Sequence, residues 1–128
     1  MTMRIVRLGT ARGRGEGLRI GTVRRPPRGG PRSQYEAQNW YDAWLPELAP
    51  SAGAVKLAQA ARTDRQWRTF VKRYRAEMAV PEKARLLKLL AALSRHTNFS
   101  IGCYCADESR CHRSVLRALL REQGARIV

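Results

Sequence analysis

The residues of this chain that could do chemistry are concentrated in one segment, GCYCADESRCHRSVL, at residues 102–116. This segment contains all three cysteines of the chain, Cys103, Cys105 and Cys111, together with His112, one of only two histidines. Thiols and imidazoles bind zinc, and they also act as nucleophiles and proton carriers. We therefore expect any reactive or ligand-binding site of this protein to involve this segment.

The elements around this segment are predicted to be a strand, a short loop and a helix. NFSIGCYC at residues 98–105 is short and rich in aromatic and β-branched residues, which favours a strand. Ser109 is the predicted N-cap of the following helix, RCHRSVLRALLREQ, and Gly124 marks its predicted end. In open α/β sheets ligands bind beyond the carboxyl ends of strands, and a helix N-terminus attracts anions. The sequence thus predicts a ligand site at this junction.

The leading interpretation is an anion-binding pocket that carries out no reaction. The start of the helix would present free N–H groups and two arginines to a phosphate-bearing or other anionic ligand. A basic loop rich in glycine and proline, PPRGGPR at residues 26–32, could contribute further cations. The predicted ligand-binding residues are Arg24, Arg28, Arg110, Arg113 and Ser114, with His112 beside them.

A second interpretation is an enzyme with a reactive cysteine. A thiol at the strand end, Cys105, or in the first helical turn, Cys111, would be activated by the helix dipole and the nearby arginines. His112 would act as the base or the acid. Asp107 and Glu108 offer carboxylates for orientation or proton transfer.

Two further interpretations stay open. A metal site would use three thiolates and an imidazole, but the spacing C-x-C-x5-C-H differs from the usual zinc pairs, and residues adjacent on a helix point about 100° apart. We therefore expect no cofactor and keep zinc as the alternative. Otherwise the cysteines fill the core of a structural or interaction protein, because cysteine is among the most buried residue types. The candidate metal ligands are Cys103, Cys105, Cys111 and His112.

The charge of the chain is strongly positive and unevenly distributed. The 128 residues carry a net charge of +15, and residues 1–32 alone hold nine arginines against one glutamate. Such a field attracts polyanions, so an anionic small molecule or nucleic acid is the expected partner. Arginine outnumbers lysine 21 to 4, which the composition of a GC-rich genome would also produce.

The location predicted from the sequence is the cytoplasm. No apolar run approaches the ~20 residues of a membrane span. The start of the chain, MTMRIVRLGT, lacks the apolar stretch and small-residue cleavage site of a signal peptide. In the cytoplasm three cysteines are expected to be thiols.

The rest of the chain predicts an α/β domain with a partly parallel sheet, because strand patterns precede and alternate with helical ones. Strands are predicted in residues 3–9 and 17–25. A helix is predicted from Ser33 through QYEAQNWYDAWL, and another in SAGAVKLAQAAR. A capping box at Thr63 and Gln66 predicts the start of a third, and Pro81 the first turn of a fourth.

Several of these segments resemble a known family. CYCADESRCHRSVLRALL resembles the C-terminal signature of the YeaO-like family, a bacterial and archaeal domain of unknown function (number 488). RPPRG at residues 25–29 resembles the family's loop after the second strand. YDAWLPELAPS at residues 41–51 and FVKRYRAEM at residues 70–78 resemble its W-x-x-x-x-A-P-S segment and its F-x-x-x-Y-x-x-E-[LM] helix. The resemblance covers most of the chain in order, and it implies one compact three-layer α/β domain over residues 1–128.

The resemblance also implies which positions matter, although it implies no particular activity. It suggests that the loop with Arg28, the APS turn and the Cys-His-Arg helix start converge on one cleft. The family loop often reads D-R-x-W-P-R-G, and here Val23 and Pro26 replace its acidic residue and its tryptophan. The positions carried over are Arg24, Pro27, Arg28, Gly29, Trp44, Pro50, Ser51, Tyr74, Glu77, Cys105, Cys111, His112 and Arg113.

Overall fold

The computed structural model describes residues 1–27, 33, 35 and 38–128 of the chain. Its centre is a four-stranded sheet in the order β1-β4-β2-β3, in which every pairing of neighbours is parallel. The strands are β1 (Met3–Arg7), β2 (Leu18–Gly21), β3 (Ala43–Trp44) and β4 (Phe99–Cys103). Because the strands are parallel, their carboxyl ends lie at one edge of the sheet, where the loops that carry function gather.

Four helices pack on one face of this sheet. They are α1 (Ala52–Ala60), α2 (Asp64–Met78), α3 (Pro81–Leu93) and α4 (His112–Glu122). Alternate strand residues such as Met3, Phe99 and Ile101 point into this face and share one apolar core with residues of every helix. The helix stripe Phe70, Tyr74 and Met78 is fully buried there, as its three- and four-residue spacing predicts.

Loops cover the opposite face of the sheet in the described part of the chain. Arg19 on β2 is fully buried and forms an ion pair with Glu16, and Ser100 on β4 donates a hydrogen bond to the same carboxylate. Arg19 also donates to the backbone carbonyls of Thr10 and Asn39. This face is therefore held by a polar network, while the helical face is held by apolar packing.

Most of the predicted elements are confirmed. The compact α/β domain and its small sheet are present as expected, and the sheet, predicted to be partly parallel, has only parallel pairings between its strands. Thr63 and Gln66 form the capping box at the start of α2, and Pro81 begins α3. Gly124 follows α4 with a φ of +89°, a conformation that glycine adopts without strain.

Two local predictions were wrong. The segment from Ser33 was predicted to be helical to Leu45, but among its described residues 38–40 form a turn and Ala43–Trp44 form β3. Tertiary contacts override the local pattern, because the Asp42 carboxylate accepts a hydrogen bond from the backbone N–H of Arg19 at 2.8 Å. Tyr41 lies directly over Gly21, where a Cβ atom would come within 2.7 Å of its ring.

The start of the last helix also differs from the prediction. Ser109 is not its N-cap; it lies in a short 3-10 helix, Glu108–Arg110, that is capped by Asp107. Cys111 occupies the N-cap position of α4 and makes no side-chain capping bond. The side chain that would normally cap this helix is thus replaced by a thiol, which leaves the thiol available for other contacts.

No helix among the described residues is both long and apolar enough to cross a membrane.

Candidate functional site: a thiol cluster at the carboxyl edge of the sheet

The candidate site lies where β2, β4 and α4 meet. Cys103 is the last residue of β4, Cys105 follows it in the loop, and Cys111 precedes α4. All three are free thiols; Cys103 and Cys111 are buried, whereas Cys105 is exposed. The sequence predicted a strand that continues to residue 105, and the structure instead ends the strand at Cys103. The three side chains nevertheless come together as a cluster, which we call the thiol cluster.

The thiols of this cluster differ in acidity. Hydrogen bonds from Cys103 and Cys111 lower the pKa of the Cys105 thiol well below its ordinary value, although burial opposes the effect. The positive charge of Arg113 lowers the pKa of Cys105 further. Hydrogen bonding to its neighbouring thiols and burial raise the pKa of Cys103. Cys105, the exposed member of the cluster, therefore ionises more readily than Cys103.

Arg113 lies beneath the thiol cluster and is 3% exposed. One guanidinium nitrogen donates to the backbone carbonyl of Cys105 at 2.5 Å, and the buried Nε has no hydrogen-bond partner among the described residues. Burial alone would lower the pKa of Arg113, but the neighbouring thiols, Cys103 foremost, raise it. No carboxylate within the described ranges forms an ion pair with Arg113. A buried cation needs a compensating charge, and a thiolate is the group at hand.

His112 is held in one tautomer by its contacts. Its Nε2 lies 3.0 Å from the carbonyl oxygen of Thr22 and 3.2 Å from the Thr22 hydroxyl. A carbonyl oxygen only accepts, so Nε2 carries the proton, and the Thr22 hydroxyl donates its own proton to the Gly102 carbonyl. The unprotonated Nδ1 of the neutral ring then faces the sulfur of Cys111 at 3.8 Å. This arrangement gives the thiol a base that a third residue orients.

A small cavity opens onto these groups. Its volume is about 200 Å³. One wall carries Cys105, Cys111, His112 and Arg110, and the other comes from α1, α2 and the turn before α1. That second wall consists of Pro50, Val55, Ala58, Gln59 and Phe70. We call this space the thiol cavity; it has room for a small, largely apolar group in contact with a thiol and an imidazole.

The predicted anion-binding residues near α4 are each engaged by other groups. Arg110 reaches the thiol cavity, but it pairs with Asp64 at 2.9 Å and lies 5.5 Å from the centre of the Trp67 ring. The Ser114 hydroxyl donates to the carbonyl of Cys111 within the helix. Arg113 is buried under the thiols. These contacts leave Arg110 as the one member of the set near α4 that an anion in the cavity could reach.

Of the two loop arginines predicted to bind the ligand, only Arg24 lies within the described residues. Arg24 is exposed and lines neither this cavity nor the other pocket described below. Arg28 and Gly29 lie outside the described residues. Of the three features expected to converge on one cleft, the APS turn and the helix start do so, because Pro50 lines the cavity together with Cys111 and His112.

The two acidic residues of the segment have structural partners. Asp107 is exposed and accepts hydrogen bonds from the backbone and hydroxyl of Ser109, which lower its pKa. Glu108 pairs with Arg117 at 2.7 Å, and this hydrogen bond lowers its pKa. Both carboxylates therefore shape the loop between β4 and α4.

The remaining signature residues position the wall of the cavity. Ser51 caps α1, and its backbone N–H and hydroxyl both donate to the Glu77 carboxylate on α2. The buried Tyr74 hydroxyl donates to the carbonyl of Leu48 at 2.5 Å, and burial raises its pKa well above the ordinary value. The Tyr74 ring meets the ring of His112 edge to face, with centroids 5.8 Å apart. These contacts fix the APS turn and the imidazole relative to each other.

Sequence reasoning missed the role of Thr22. It was counted as an ordinary strand residue, but it lies just beyond β2, beside the end of β4, and orients His112 through two oxygens. Its position after a central strand was the available signal, because such positions recur in the sites of parallel sheets.

The same cluster could hold a metal ion. Cys103, Cys111 and His112 each bring one ligand atom to within 4.8 Å of one another. Two thiolates and an imidazole are a suitable donor set for zinc. Cys105 was predicted as a fourth ligand and is not part of this closest group.

The fold and the site together define an α/β domain with a thiol cluster at the carboxyl edge of a small parallel sheet. The family model described as DUF488-N3a, "Active DUF488-N3 subclade", matches residues 3–124. The chain therefore belongs to the DUF488 family, as the resemblance of its signature segments predicted. No curated protein and no solved structure matches it.

Proposed function

We propose that this protein is an enzyme that uses Cys105 as a nucleophile. The observation that carries the proposal is the buried guanidinium of Arg113, which has no carboxylate partner in the described chain and faces the thiols. A cation in this position stabilises a thiolate at neutral pH, and the thiolate is the reactive form of cysteine. The leading prediction from the sequence, an anion pocket without catalysis, has less support because Arg113 and Ser114 are turned to other partners.

The roles of the residues follow from their contacts. The sulfur of Cys105 attacks an electrophilic carbon of a small substrate group that occupies the thiol cavity. Cys111, beside the reacting sulfur, gives its proton to the leaving oxygen as the C–O bond breaks. His112, held by Thr22, takes the proton of the water that hydrolyses the thioester and returns it to Cys111. The small volume and apolar far wall of the cavity favour a compact group such as a short acyl chain. The family model that matches the chain is described as an active subclade, which agrees with a catalytic role.

The experiment that tests this proposal is a burst measurement with p-nitrophenyl acetate. Attack by the Cys105 sulfur on the acetyl carbon breaks the ester C–O bond, releases p-nitrophenolate and leaves a thioester, which water then hydrolyses. We expect a burst approaching one equivalent and an acetyl group located on Cys105 by mass spectrometry. Cys105→Ser should abolish the burst. Equal labelling of the three cysteines, or no burst, would contradict the proposal.

The role of His112 is tested with an ester whose leaving group needs a proton. His112→Asn should slow turnover of ethyl acetate by roughly 10²-fold, the ordinary contribution of general acid–base catalysis. His96→Asn is the matched control, because His96 is exposed and lies after α3, away from the cluster. Equal rates for the two variants would remove His112 from the mechanism.

A metal-dependent function is the second candidate, and the donor set of Cys103, Cys111 and His112 favours it. Zinc would supply Lewis acidity at the cavity. One equivalent of zinc retained by the purified protein, with a fall in the unfolding temperature on chelation, would support it. The same result would argue against a free thiolate. Three free thiols in one protein also fit a reducing compartment, so we propose the cytoplasm as its location.

A further inference from the structure

A second, larger pocket opens at the same edge of the sheet. Its volume is about 680 Å³, within the range of pockets that hold small organic ligands. It lies beyond the ends of β1, β2 and β4, where ligands of parallel sheets bind. Its described lining residues are Arg7, Leu8, Gly9, Thr10, Arg25, Pro26, Pro27, Trp40 and Tyr104. We call it the arginine–aromatic pocket.

This pocket is separate from the thiol cavity. Tyr104 and Cys105 are adjacent in sequence, yet Tyr104 lines the larger pocket and Cys105 lines the smaller one. The proposed enzyme mechanism makes no use of the larger pocket. A ligand there would therefore be recognised by a different set of side chains.

The aromatic residues of the pocket form a fixed corner. The rings of Trp40 and Tyr104 meet at 85° with centroids 5.8 Å apart. Trp40 is held from behind by Gly9, where a Cβ atom would come within 2.7 Å of the ring. The Tyr104 hydroxyl donates to the backbone carbonyl of Arg25 at 3.0 Å, which ties the loop after β2 to this corner. A flat apolar ring can pack against such a corner without reorganising it.

The two charged residues among the described lining of the pocket are both cations. Arg7 donates from Nε to the carbonyl of Tyr104 at 3.4 Å, which holds its guanidinium at the rim beside the aromatic corner. Arg25 is exposed, and its guanidinium makes no ion pair with a described residue. No described lining residue is acidic. The pocket thus pairs a surface for a planar ring with two cations for an anion, in the most basic part of the sequence.

From this combination we propose that the arginine–aromatic pocket binds a nucleoside monophosphate unit. The base packs against Trp40 and Tyr104, and the phosphate meets Arg7 and Arg25. The unit is either a free nucleotide or one residue of a single strand, because both present the same base and phosphate. A net charge of +15 does not by itself indicate a particular ligand. The pocket assigns two of the arginines to binding one phosphate group.

The test is isothermal titration calorimetry with adenosine 5′-monophosphate, adenosine and inorganic phosphate, on the full chain carrying Cys105→Ser. That substitution separates the result from any reaction at the thiol cluster. We expect the nucleotide to bind at least about tenfold more tightly than either part alone, since each part makes only half of the contacts. A phosphate affinity equal to that of the nucleotide would overturn the proposal, because the ring would then contribute nothing.

Paired variants locate the site. Arg25→Ala should weaken nucleotide binding about tenfold, the value of one charge-assisted contact. Arg24→Ala, the adjacent exposed arginine outside the pocket, should change it less than about twofold. Tyr104→Leu should weaken binding of the nucleotide but not of phosphate. Equal effects of the two arginine variants would overturn the proposal, whatever the folding of the Tyr104 variant.

The source of the unit is resolved by a single-stranded oligoadenylate. If the oligonucleotide binds more tightly per site than the free nucleotide, and its affinity falls with salt, the natural ligand is a strand. If it binds no better, the ligand is the free nucleotide. Failure of the oligonucleotide and of the nucleotide alike overturns the proposal and leaves the role of Cys105 untouched.

Discussion

Two arginines among the described residues are buried, and their surroundings differ in one decisive respect. Arg19 on β2 is fully buried and makes four hydrogen bonds, two of them to the Glu16 carboxylate, whose oxygens lie 2.7 and 2.9 Å away. Arg113 on α4 is 3% exposed, donates a hydrogen bond to the carbonyl of Cys105, and leaves its Nε without a partner in the described chain. Arg19 is paired directly with a carboxylate. Arg113 has no described carboxylate within ion-pair distance, and its compensating negative charge comes mainly from the thiols, with a smaller contribution from Glu108.

This difference separates a structural role from a reactive one. A buried charge with a complete set of partners fixes the loops around it and has no hydrogen-bond donor left for another group. A buried charge that depends on a thiolate keeps that thiolate ionised and therefore nucleophilic. Arg19 thus stabilises the fold, whereas Arg113 supports the chemistry of the thiol cluster. Each of the following predictions tests one of these two roles.

The largest expected effect is on stability, at Arg19. Arg19→Met leaves the Glu16 carboxylate buried without its cation, so the free energy of unfolding should fall by about 3–5 kcal/mol. Urea denaturation followed by circular dichroism measures it. The double variant Arg19→Met with Glu16→Leu should recover part of the loss, because no unpaired charge remains. A loss below about 1 kcal/mol for the single variant would mean that the pair is not structural.

The next effect is the response of stability to acid. Burial raises the pKa of Glu16, but hydrogen bonds from Arg19, Ser100 and the backbone of Gly13 outweigh it and lower the pKa from 4.5 to about 2. Because the pKa of Glu16 is lower in the folded protein than in the unfolded chain, its ionised carboxylate stabilises the fold at any pH above the unfolded-state pKa. That contribution, about 3 kcal/mol, is lost as pH falls from about 4.5 toward 2. Glu16→Gln should remove this part of the pH dependence, and identical acid profiles for the two proteins would contradict the account.

The third effect is on reactivity, at Arg113. Arg113→Met removes a charge that stabilises the Cys105 thiolate, so the pKa of Cys105 obtained from the pH dependence of alkylation should rise by about one unit or more, and alkylation at a pH below that pKa should slow by about tenfold. The free energy of unfolding should change by only about 1 kcal/mol, because an apolar side chain of similar length replaces a cation without a carboxylate partner. Arg113 would join Arg19 as a structural residue if the variant lost several kcal/mol and kept its thiol reactivity.

The smallest effect is expected at Thr22. Thr22→Val keeps the shape and the backbone carbonyl that hold His112, but it removes a hydroxyl that bonds to Gly102. We expect a loss of about 1 kcal/mol in unfolding free energy, and a two- to threefold slower turnover of a substrate that needs His112. The pH profile of turnover distinguishes positioning from simple loss of stability, because only a change at His112 moves the profile.

The sequence predicted most of the fold because its local patterns agree with the final structure. The capping box at Thr63, Pro81 at the start of α3 and the apolar strand at β4 are local features that need no distant partner. The segment around Asp42 and Trp44 could not be read in this way. Its strand depends on Arg19, twenty or more residues earlier, and on room above Gly21.

The candidate site was predicted in composition but not in arrangement. The cysteines, His112 and Arg113 are visible in the sequence, and their position at a strand end follows from the pattern. The burial of Arg113 and its lack of a carboxylate are not visible, because they depend on Glu108 pairing with Arg117 instead. The orientation of His112 by Thr22 joins residues ninety positions apart, which no local pattern reveals.

The most direct test of the account is the pH dependence of alkylation at each cysteine. Iodoacetamide labelling across pH 4–9, resolved to individual residues by mass spectrometry, gives the apparent pKa of the Cys105 thiol in the native protein. The account predicts that Cys105 titrates far below the value of about 8.5 for a free thiol, while Cys103 does not react. A Cys105 that titrates at or above that value would contradict the central claim, because Arg113 would then be stabilising no thiolate.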